Sequence, residues 1–422
     1  MLDVFRNATR IPELRKKILF TAAMLAVYRI GSYVPVPGVN AVALAQELGV
    51  DGGNIFGFLN LFSGGALGRF TVFAMGVNPY ITASIILNLL TMVFPQLEEL
   101  SKDPGEGRQK IAQYTRYGTV ILGLIQAFGI TMLARGWGVI ENPNFFTLTL
   151  VILTLTAGTS FLMWLGEKIT ENGIGNGISL LIFAGIVASM PVELFNAIGA
   201  VRAGALSVIS LLVFFILTIV LIAAIVMVQQ GERRIPVQYA KRVVGRKMYG
   251  GQSTHIPLKI NQPGVIPVIF ASSILTFPLT IAQFIPAISG ISEWIGYGTI
   301  GYNFLYVVLI IFFTYFYTAL TFNPVEIANN MRKNGGFVPG LRPGRPTSEY
   351  LERVLVRITL PGAIFLAIIA VAPFVVAAIT RIPMELMSFG GTGMIIVVGV
   401  ALETMKQIEA HLVMRHYEGF LK

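Results

Sequence analysis

Three glycines, Gly173, Gly175 and Gly177, give this sequence its nearest match to a nucleotide-binding loop. They stand in the run Asn-Gly-Ile-Gly-Asn-Gly-Ile, whereas a phosphate-binding loop follows a strand and ends in Gly-Lys-Ser or Gly-Lys-Thr. The spacing therefore indicates a flexible start to a helix. The sequence also contains no His-Glu-x-x-His and no Gly-x-Ser-x-Gly motif, so it does not support a zinc protease or a serine hydrolase of those types.

Residues that could bind a metal or couple transport to an ion are also scarce. The chain has no cysteine, which excludes disulfides, thiolate metal sites and cysteine nucleophiles. Ion-coupled transporters usually need carboxylates or imidazoles at membrane depth. We place none of the 21 acidic residues near the centre of an apolar run, and the three histidines lie in or beside polar segments. The sequence predicts no metal and no cofactor, although a sodium site of backbone carbonyls stays open.

The composition of the chain and the length of its apolar runs are typical of a membrane protein. Hydrophobic residues make up 55% of the chain and charged residues 12%, against about 25% charged residues in globular proteins. A helix needs about 20 largely apolar residues to cross a membrane. We find ten such runs, at 18–34, 72–94, 117–135, 147–166, 177–195, 207–228, 264–288, 303–323, 355–380 and 390–412.

Lysine and arginine are distributed unevenly between the segments that connect these runs. If the N-terminus is cytoplasmic, 26 of the 31 basic residues lie on the cytoplasmic side, where they accumulate because they resist translocation. The sequence therefore predicts that both termini are cytoplasmic and that two basic loops, 229–262 and 324–354, project into the cytosol. The basic residues left outside are Arg29, Arg69, Arg135, Arg202 and Arg381.

The ten runs divide into two sets of five, and an odd number per set gives the second set the opposite orientation. Glycine and proline interrupt the second run of each set, at 76–79 (Gly-Val-Asn-Pro) and 263–267 (Pro-Gly-Val-Ile-Pro). Paired interruptions of this kind point to the functional axis of a transport protein, but two ordinary helix starts explain them equally well. We divide the chain into a cytoplasmic segment 1–17, an N-terminal half 18–195, a C-terminal half 196–412 and a cytoplasmic tail 413–422.

A glycine-rich apolar stretch at 54–69 is too short to span the membrane. Its non-helical parts can lie at membrane depth only where they face protein or a water-filled cavity. A re-entrant segment that fills a pore and an interfacial helix on the outer surface explain the stretch equally well.

Nine stretches, in order along nearly the whole chain, resemble the SecY family, whose members form the central subunit of a protein-conducting channel. They are 62–67 (Phe-Ser-Gly-Gly-Ala-Leu), 78–86 (Asn-Pro-Tyr-Ile-Thr-Ala-Ser-Ile-Ile), 113–118 (Gln-Tyr-Thr-Arg-Tyr-Gly), 161–167 (Phe-Leu-Met-Trp-Leu-Gly-Glu), 173–179 (Gly-Ile-Gly-Asn-Gly-Ile-Ser), 233–242 (Arg-Arg-Ile-Pro-Val-Gln-Tyr-Ala-Lys-Arg), 252–259 (Gln-Ser-Thr-His-Ile-Pro-Leu-Lys), 264–267 (Gly-Val-Ile-Pro) and 337–344 (Phe-Val-Pro-Gly-Leu-Arg-Pro-Gly). Ordered coverage of this extent is more specific than any one motif.

The resemblance implies an all-α membrane protein with ten transmembrane helices in two inverted, pseudo-symmetric halves of five around a central hourglass pore. It also implies a ring of aliphatic side chains at the narrowest point, formed by Val77, Ile81, Ile178, Ile182, Ile269 and Ile396. The first two pairs are spaced i,i+4, so each pair faces one way on a helix. Family members commonly have isoleucine in place of Val77, a small change in the ring. Most isoleucines in such a chain face lipid or pack in a core, so the assignment rests on the resemblance.

The same resemblance implies a plug at about 55–68 that closes the pore from outside at rest, and a lateral gate between runs two and seven. The plug residues are Ile55, Phe58, Leu61, Phe62, Ser63, Gly64, Gly65 and Leu67, and the gate residues are Ser84, Asn88, Thr91, Ser272 and Ser273. Asn88 and Thr91 could close the gate by hydrogen bonds between helices, although simple helix packing explains each of them at least as well.

The resemblance further implies that the basic loops dock a ribosome or a SecA-like motor ATPase. The docking residues are Arg233, Arg234, Lys241, Arg242, Arg246, Lys247 and Arg342. Tyrosines interleave with the basic residues of loop 229–262, which suits RNA phosphates or an acidic protein, but most basic loops only set topology. The other implied partners are SecE-like and SecG-like membrane subunits, signal sequences, unfolded secretory chains and membrane lipid.

The sequence thus predicts a channel, not itself an enzyme, in the bacterial plasma (inner) membrane. It would move unfolded secretory polypeptides outward and release hydrophobic segments sideways into lipid, driven by a partner ATPase or the ribosome. Two other classes stay open. An ion-coupled transporter would show saturable uptake of one small solute, and an intramembrane enzyme or insertase without a through-pore would not pass soluble secretory chains.

Overall fold

The computed structural model describes residues 11–40, 43, 55–103, 105–204, 206–239, 242–244, 247–249, 253–282, 294–380 and 391–419. The described helices of the N-terminal half are α1 (Pro12–Gly31), α2 (Ile55–Phe62), α3 (Asn78–Val93), α4 (Pro95–Lys102), α5 (Glu106–Gly136), α6 (Phe145–Asn172) and α7 (Gly177–Arg202). Those of the C-terminal half are α8 (Val208–Gln230), α9 (Ile266–Ala282), α10 (Ile300–Thr321), α11 (Pro324–Lys333), α12 (Arg345–Thr380) and α13 (Thr392–Gly419).

Short strands lie in the two basic loops of the C-terminal half. The strands β1 (Glu232–Tyr239), β2 (Arg242–Val244), β3 (Lys247–Tyr249) and β4 (Ser253–Lys259) connect α8 to α9, and β5 (Gly336–Phe337) follows α11. β1 lies between β4 and β5 in an antiparallel sheet, and β2 and β3 form a separate hairpin. The sheet therefore joins one basic loop to the other.

This sheet corrects the prediction of an all-α fold. Buried and exposed side chains alternate along β1, where Ile235 and Val237 are buried, as expected for a strand with one face on a core. The two residues pack with Leu258 of β4 and with apolar side chains of α11 and α12. The alternation is short and lies among charged residues, so the sequence alone resembles a solvated loop.

A helix overlaps each of the ten predicted runs, but fewer helices are long and apolar enough to cross a membrane. Among the described residues there are six, or seven if α3 and α4 form one broken span. The shortfall has simple causes, because the apolar part of α9 is short and charged residues interrupt α1 (Arg15, Lys16 and Lys17) and α13 (Glu403, Lys406 and Glu409). The described part of the chain is mostly helical, with six or seven helices of membrane-spanning character.

Both interruptions predicted from glycine and proline are helix starts. Gly76 has φ +57° and Gly264 has φ +66°, a left-handed conformation that residues with a Cβ rarely adopt. α3 begins two residues after Gly76, and α9 begins two residues after Gly264. The predicted start of the second run at residue 72 is therefore wrong, because residues 72–77 form turns.

α3 ends in a sharp bend of 106° into α4. Pro95 is the first residue of α4, a position where its missing N–H costs no hydrogen bond. After α4, the Asp103 carboxylate accepts hydrogen bonds from the N–H groups of Gly105 (3.0 Å) and Gly107 (3.1 Å). These bonds lower the pKa of Asp103 below its usual range and shape the turn into α5.

The two halves share one pattern of neighbouring helices. In the N-terminal half α3 packs against α5, α5 against α6 and α6 against α1, and in the C-terminal half α9 packs against α10, α10 against α12 and α12 against α8. The main helix contacts between the halves are α3 with α9 and α7 with α13. The predicted boundary at 195–196 falls inside α7, so the chain passes from one set of helices to the other after Arg202.

Candidate functional site

Four helices from both halves bring the predicted ring residues together. Val77 immediately precedes α3 and Ile81 lies on it, while Ile182, Ile269 and Ile396 lie on α7, α9 and α13. These five side chains are at most 6% exposed and belong to one cluster of buried apolar residues. The chain thus gathers aliphatic groups at the point where its two halves meet.

Ile178, the sixth predicted ring residue, is placed differently. It is half-buried and packs against the same cluster, and its Cδ1 lies so close to Gly166 of α6 that a side chain at Gly166 would collide with it. Ile178 therefore also fills the contact between α6 and α7.

The five ring side chains have limited chemical capability, because aliphatic groups neither donate nor accept hydrogen bonds. A narrow passage lined by such groups is poorly hydrated and excludes ions by dewetting. It also has no polar group that could hold one particular solute or peptide sequence. The arrangement can seal an opening, and it offers no group for acid–base or nucleophilic catalysis.

The predicted plug residues divide between two apolar clusters. Leu61 and Phe62, at the end of α2, pack in the same cluster as the ring, whereas Leu67 packs in a second cluster with Phe70 and Val36. Ile55 and Phe58 also lie on α2, but their side chains are outside the described part of the structure. The predicted plug segment therefore passes, within a few residues, from the apolar cluster that contains the ring residues to the second apolar cluster.

Between the two clusters, the chain turns at Ser63, Gly64 and Gly65. The two glycines have φ +65° and +82°, and Ser63 is 2% exposed. A Cβ added to Gly64 would lie 2.8 Å from the Cα of Gly185 on α7. Glycine is required here both by the backbone conformation and by the close approach of α7.

The predicted gate residues lie on α3 and α9, one of the two main helix pairs that pack together between the halves. Thr91 donates its hydroxyl hydrogen to the carbonyl oxygen of Asn88 (2.7 Å), and Ser272 donates to the carbonyl oxygen of Ile269 (2.8 Å). Both hydroxyls thus donate within their own helices, which favours simple helix packing over a hydrogen bond across the gate for Thr91. Ser84, Asn88 and Ser273 are half-buried.

The predicted docking residues lie on and beside the sheet. Arg233 and Arg234 are exposed on β1, and Arg234 pairs with Glu232 at 2.8 Å. Arg342 is exposed in a turn between Gly340 (φ +83°) and Gly344 (φ +107°). Arg242 and Lys247 lie on the β2–β3 hairpin with side chains that are not described, and Lys241 and Arg246 lie outside the described residues.

The turn at Arg342 is braced from the following helix, where Thr347 donates its hydroxyl hydrogen to the carbonyl oxygen of Arg342 at 2.8 Å. A model of the SecY family matches residues 71–405 of the chain, a range that includes all six predicted ring residues, both gate helices and this turn. The chain belongs to the SecY family.

Relatives match the chain over its full length. It is 49% identical over 436 residues to the protein translocase subunit SecY of Halalkalibacterium halodurans, and 48% identical over 446 residues to that of Streptomyces galbus, with 100% of both chains covered in each case.

Solved structures share the fold at lower sequence identity. A protein-conducting channel superposes with a TM-score of 0.69 at 20% identity, and a SecY structure concerned with the plug domain superposes with 0.67 at 20% identity. Sec61 in the canine ribosome–channel complex superposes with 0.65 at 19% identity. In each case 96% of both chains is covered, so the SecY fold extends over almost the whole molecule.

Sequence reasoning missed a group of polar residues around the predicted plug. Tyr28 and Arg29 of α1, with Arg69 after the plug, donate hydrogen bonds to backbone carbonyls of residues 63–65. One signal was available, because Arg29 and Arg69 are among the few basic residues on the outer side of the predicted topology. Both arginines donate hydrogen bonds to backbone carbonyls of residues 64 and 65.

Proposed function

We propose that this protein is the channel-forming subunit of a protein translocase, which moves unfolded secretory polypeptides across the membrane and releases hydrophobic segments sideways into lipid. The observation that carries the proposal is the ring cluster. Aliphatic residues from four helices of both halves meet there, and the end of α2 packs among them. Membership of the SecY family supports the same function.

An aliphatic ring suits a substrate of variable sequence. A translocating polypeptide presents charged, polar and apolar side chains in turn, so the constriction must bind none of them tightly. Methyl and methylene groups meet this requirement and also resist hydration when no polypeptide is present. In this proposal Leu61 and Phe62 complete the seal at rest, and the plug leaves when a polypeptide enters.

The proposed architecture is ten transmembrane helices in two inverted halves of five around an hourglass pore. The repeated pattern of helix neighbours supports two related halves, and the α3–α9 contact supports a lateral gate at their junction. Because two gate hydroxyls donate within their own helices, apolar packing is the main force that closes the gate. Such a seam can open to a hydrophobic segment without leaving these donors unpaired.

The proposed location is the plasma (inner) membrane of a bacterium, with both termini in the cytoplasm. The exposed arginines of β1 and of the Arg342 turn then face the cytosol, and the sheet holds the two basic loops together. This surface is proposed to dock a SecA-like ATPase or a ribosome, which supplies the energy, because the channel itself is not an enzyme. SecE-like and SecG-like membrane subunits are the other proposed partners.

A cysteine at Ile269 tests the pore directly, since the chain has no cysteine of its own. The variants are Ile269→Cys and, as a matched control, Ile274→Cys, which is half-buried and lies about 140° further round α9. Each is combined with a secretory chain that carries one cysteine and is stalled during transport, and disulfide formation is measured. We expect strong crosslinking at position 269 and weak crosslinking at 274.

Equal or absent crosslinking at the two positions, in a complex that assembles normally, would contradict the proposed route. Saturable uptake of one small solute would then favour an ion-coupled transporter. Insertion of membrane segments without transport of secretory chains would favour an insertase.

The docking surface is tested by Arg342→Glu, with Arg353→Glu as a control at another exposed arginine of the same loop. Reversal of charge replaces attraction to an acidic or phosphate-bearing partner with repulsion. We expect Arg342→Glu to lower the translocation rate about tenfold or more, with normal folding and membrane insertion, and Arg353→Glu to have a smaller effect. Normal secretion in the Arg342→Glu variant would remove this residue from the docking surface.

A further inference from the structure

The chain on the C-terminal side of the plug turn is firmly anchored. The N–H of Val36 donates to the carbonyl of Phe70 (3.0 Å), and the N–H of Val72 donates to the carbonyl of Val34 (2.9 Å). Residues 70–72 thus pair with the segment that follows α1. Leu67 and Phe70 are each 2% exposed in the second apolar cluster, which adds a hydrophobic anchor.

On the N-terminal side of the turn, α2 packs against α7 and ends in the ring cluster. If α2 moves while residues 66–72 stay in place, the backbone must rotate between them. Residues 63–65 lie in this interval, and two of the three are glycines, whose φ and ψ angles are the least restricted. We call residues 63–65 the hinge.

Every carbonyl oxygen of the hinge accepts a hydrogen bond from a side chain. Tyr28 donates its phenolic hydrogen to Ser63 O (3.1 Å) and Arg29 donates from Nη1 to Gly64 O (2.9 Å). Arg69 donates from Nη2 to Gly64 O (3.2 Å) and from Nε to Gly65 O (3.1 Å). Two of the donors are charged, and hydrogen bonds from charged groups are stronger than those between neutral groups.

The donors are themselves held in place. Arg29 donates from Nη2 to the hydroxyl of Tyr33 (2.8 Å), and the guanidinium of Arg69 lies over the Tyr33 ring, 4.2 Å from its centroid. The ring of Tyr28 stacks on Phe73 at 6.1 Å, and Phe73 stacks on a phenylalanine of α6 at 5.9 Å. Contacts with Tyr33 therefore hold the two arginines, and stacking through Phe73 onto α6 holds Tyr28.

We propose that Tyr28, Arg29 and Arg69 are positioning residues that lock the hinge and so hold the plug in the resting channel. The proposal rests on the proposed function of the chain as a channel with a plug. Rotation of the hinge withdraws three carbonyl oxygens from their donors in a buried to half-buried site, which disfavours the open state. The lock acts on the backbone and therefore works whatever the side chains of α2 are.

The test uses the full chain with its membrane subunits in lipid bilayers. The variants are Tyr28→Phe, which removes one hydroxyl, Arg29→Ala, and Arg29→Lys, which keeps the charge but replaces the two donating guanidinium nitrogens with a single ammonium nitrogen. The measurements are the ion conductance of the resting channel and the transport of a secretory chain with a weakened signal sequence. Matched controls are Tyr315→Phe, which removes a hydroxyl that donates to a backbone carbonyl on another helix (3.4 Å), and Arg135→Ala, at an exposed arginine of α5.

We expect resting conductance to rise about fivefold in Tyr28→Phe and about tenfold in Arg29→Ala, the latter corresponding to about 1.4 kcal/mol. Arg29→Lys should lie between Arg29→Ala and the unaltered chain, and the controls should not change. Transport of the weakened substrate should rise in the same order. A purely structural role would lower the amount of folded channel without this ordered rise in conductance.

A deletion of residues 55–62 separates failure of the lock from failure of the proposed function. If the deletion variant has a raised resting conductance while the Tyr28 and Arg29 variants have the conductance of the unaltered chain, the proposed lock is contradicted. The proposed channel with a plug is then still supported. If neither the deletion nor the point variants leak, and the unaltered chain transports no polypeptide, the proposed function and the lock both fail.

Discussion

The ring cluster and the hinge are neighbours in the chain's fold but are held by opposite kinds of interaction. At the ring, five aliphatic side chains from four helices are at most 6% exposed. At the hinge, three side chains donate four hydrogen bonds to backbone carbonyls. Apolar burial is non-directional and scales with area, whereas a hydrogen bond requires its donor within a narrow range of distance and angle.

This difference predicts different responses to substitution. When a ring residue loses or changes a methyl group, its neighbours partly close the gap. The seal against ions should therefore weaken gradually. The hinge depends on individual atoms, so that one hydroxyl or one added methyl group should change the resting state. The predictions below test this contrast, in order of their expected effect on resting conductance.

The largest effect is expected for Gly64→Ala. The added Cβ meets the Cα of Gly185 at 2.8 Å, and alanine disfavours the φ of +65°. Strain of about 1–2 kcal/mol and overpacking of about 1–3 kcal/mol together correspond to roughly a hundredfold increase in conductance. Single-channel recording of the resting complex measures this conductance.

Gly199→Ala on α7 is the matched control, because a Cβ there meets no atom within 4 Å. If the resting conductance of Gly64→Ala is as low as that of Gly199→Ala, the hinge does not need glycine and the contrast between hinge and ring is contradicted.

A smaller effect is expected for Ile182→Ala at the ring. The side chain is 1% exposed, so its loss should lower the free energy of unfolding by about 2–5 kcal/mol and raise conductance about tenfold. Ile182→Val should cost only about 0.5–1.5 kcal/mol, and conductance should change little. Unfolding in detergent and bilayer recording on the same preparations measure both quantities.

Ile219→Ala, at a residue of α8 that is 66% exposed, controls for general loss of apolar surface. An abrupt loss of the seal in Ile182→Val would show that the ring, like the hinge, depends on individual atoms.

The smallest effect is expected for Ser272→Ala at the gate. Its hydroxyl donates to Ile269 O within α9, so its removal leaves no donor of α3 unpaired. We expect less than a twofold change in conductance and in the partition of a hydrophobic segment into lipid, in line with about 0.5 kcal/mol or less. A large change in either quantity would show that this hydroxyl bonds across the gate when the gate opens.

The helices were the part of the fold most accessible to sequence reasoning. Each predicted run overlaps an observed helix because a long apolar stretch in lipid must satisfy its backbone hydrogen bonds internally. The second run began six residues too early, since Gly76 allows an apolar stretch to turn before α3. Length and hydropathy do not reveal such a turn.

The sheet and the hydrogen bonds at the hinge could not be predicted from the sequence in the same way. β1 pairs with β5 at Gln238 and Phe337, two residues in different basic loops, and neither loop has a long alternating pattern. Tyr28, Arg29 and Arg69 donate to backbone carbonyls. Because every residue has a backbone carbonyl, the sequence does not show which of them accepts a hydrogen bond. The resemblance predicts which residues form the ring, but not that Ile178 also packs against α6.

The sequence by itself determined that the chain lies in a membrane, where its helices run and which family it belongs to, because these depend on composition, run length and ordered motifs. The tertiary structure alone decided that two basic loops share a sheet, that two gate hydroxyls donate within their own helices, and that Tyr28, Arg29 and Arg69 converge on the hinge. The physical reason is that hydrogen bonds depend on distances between residues far apart in the chain. A linear pattern of residue types does not contain those distances.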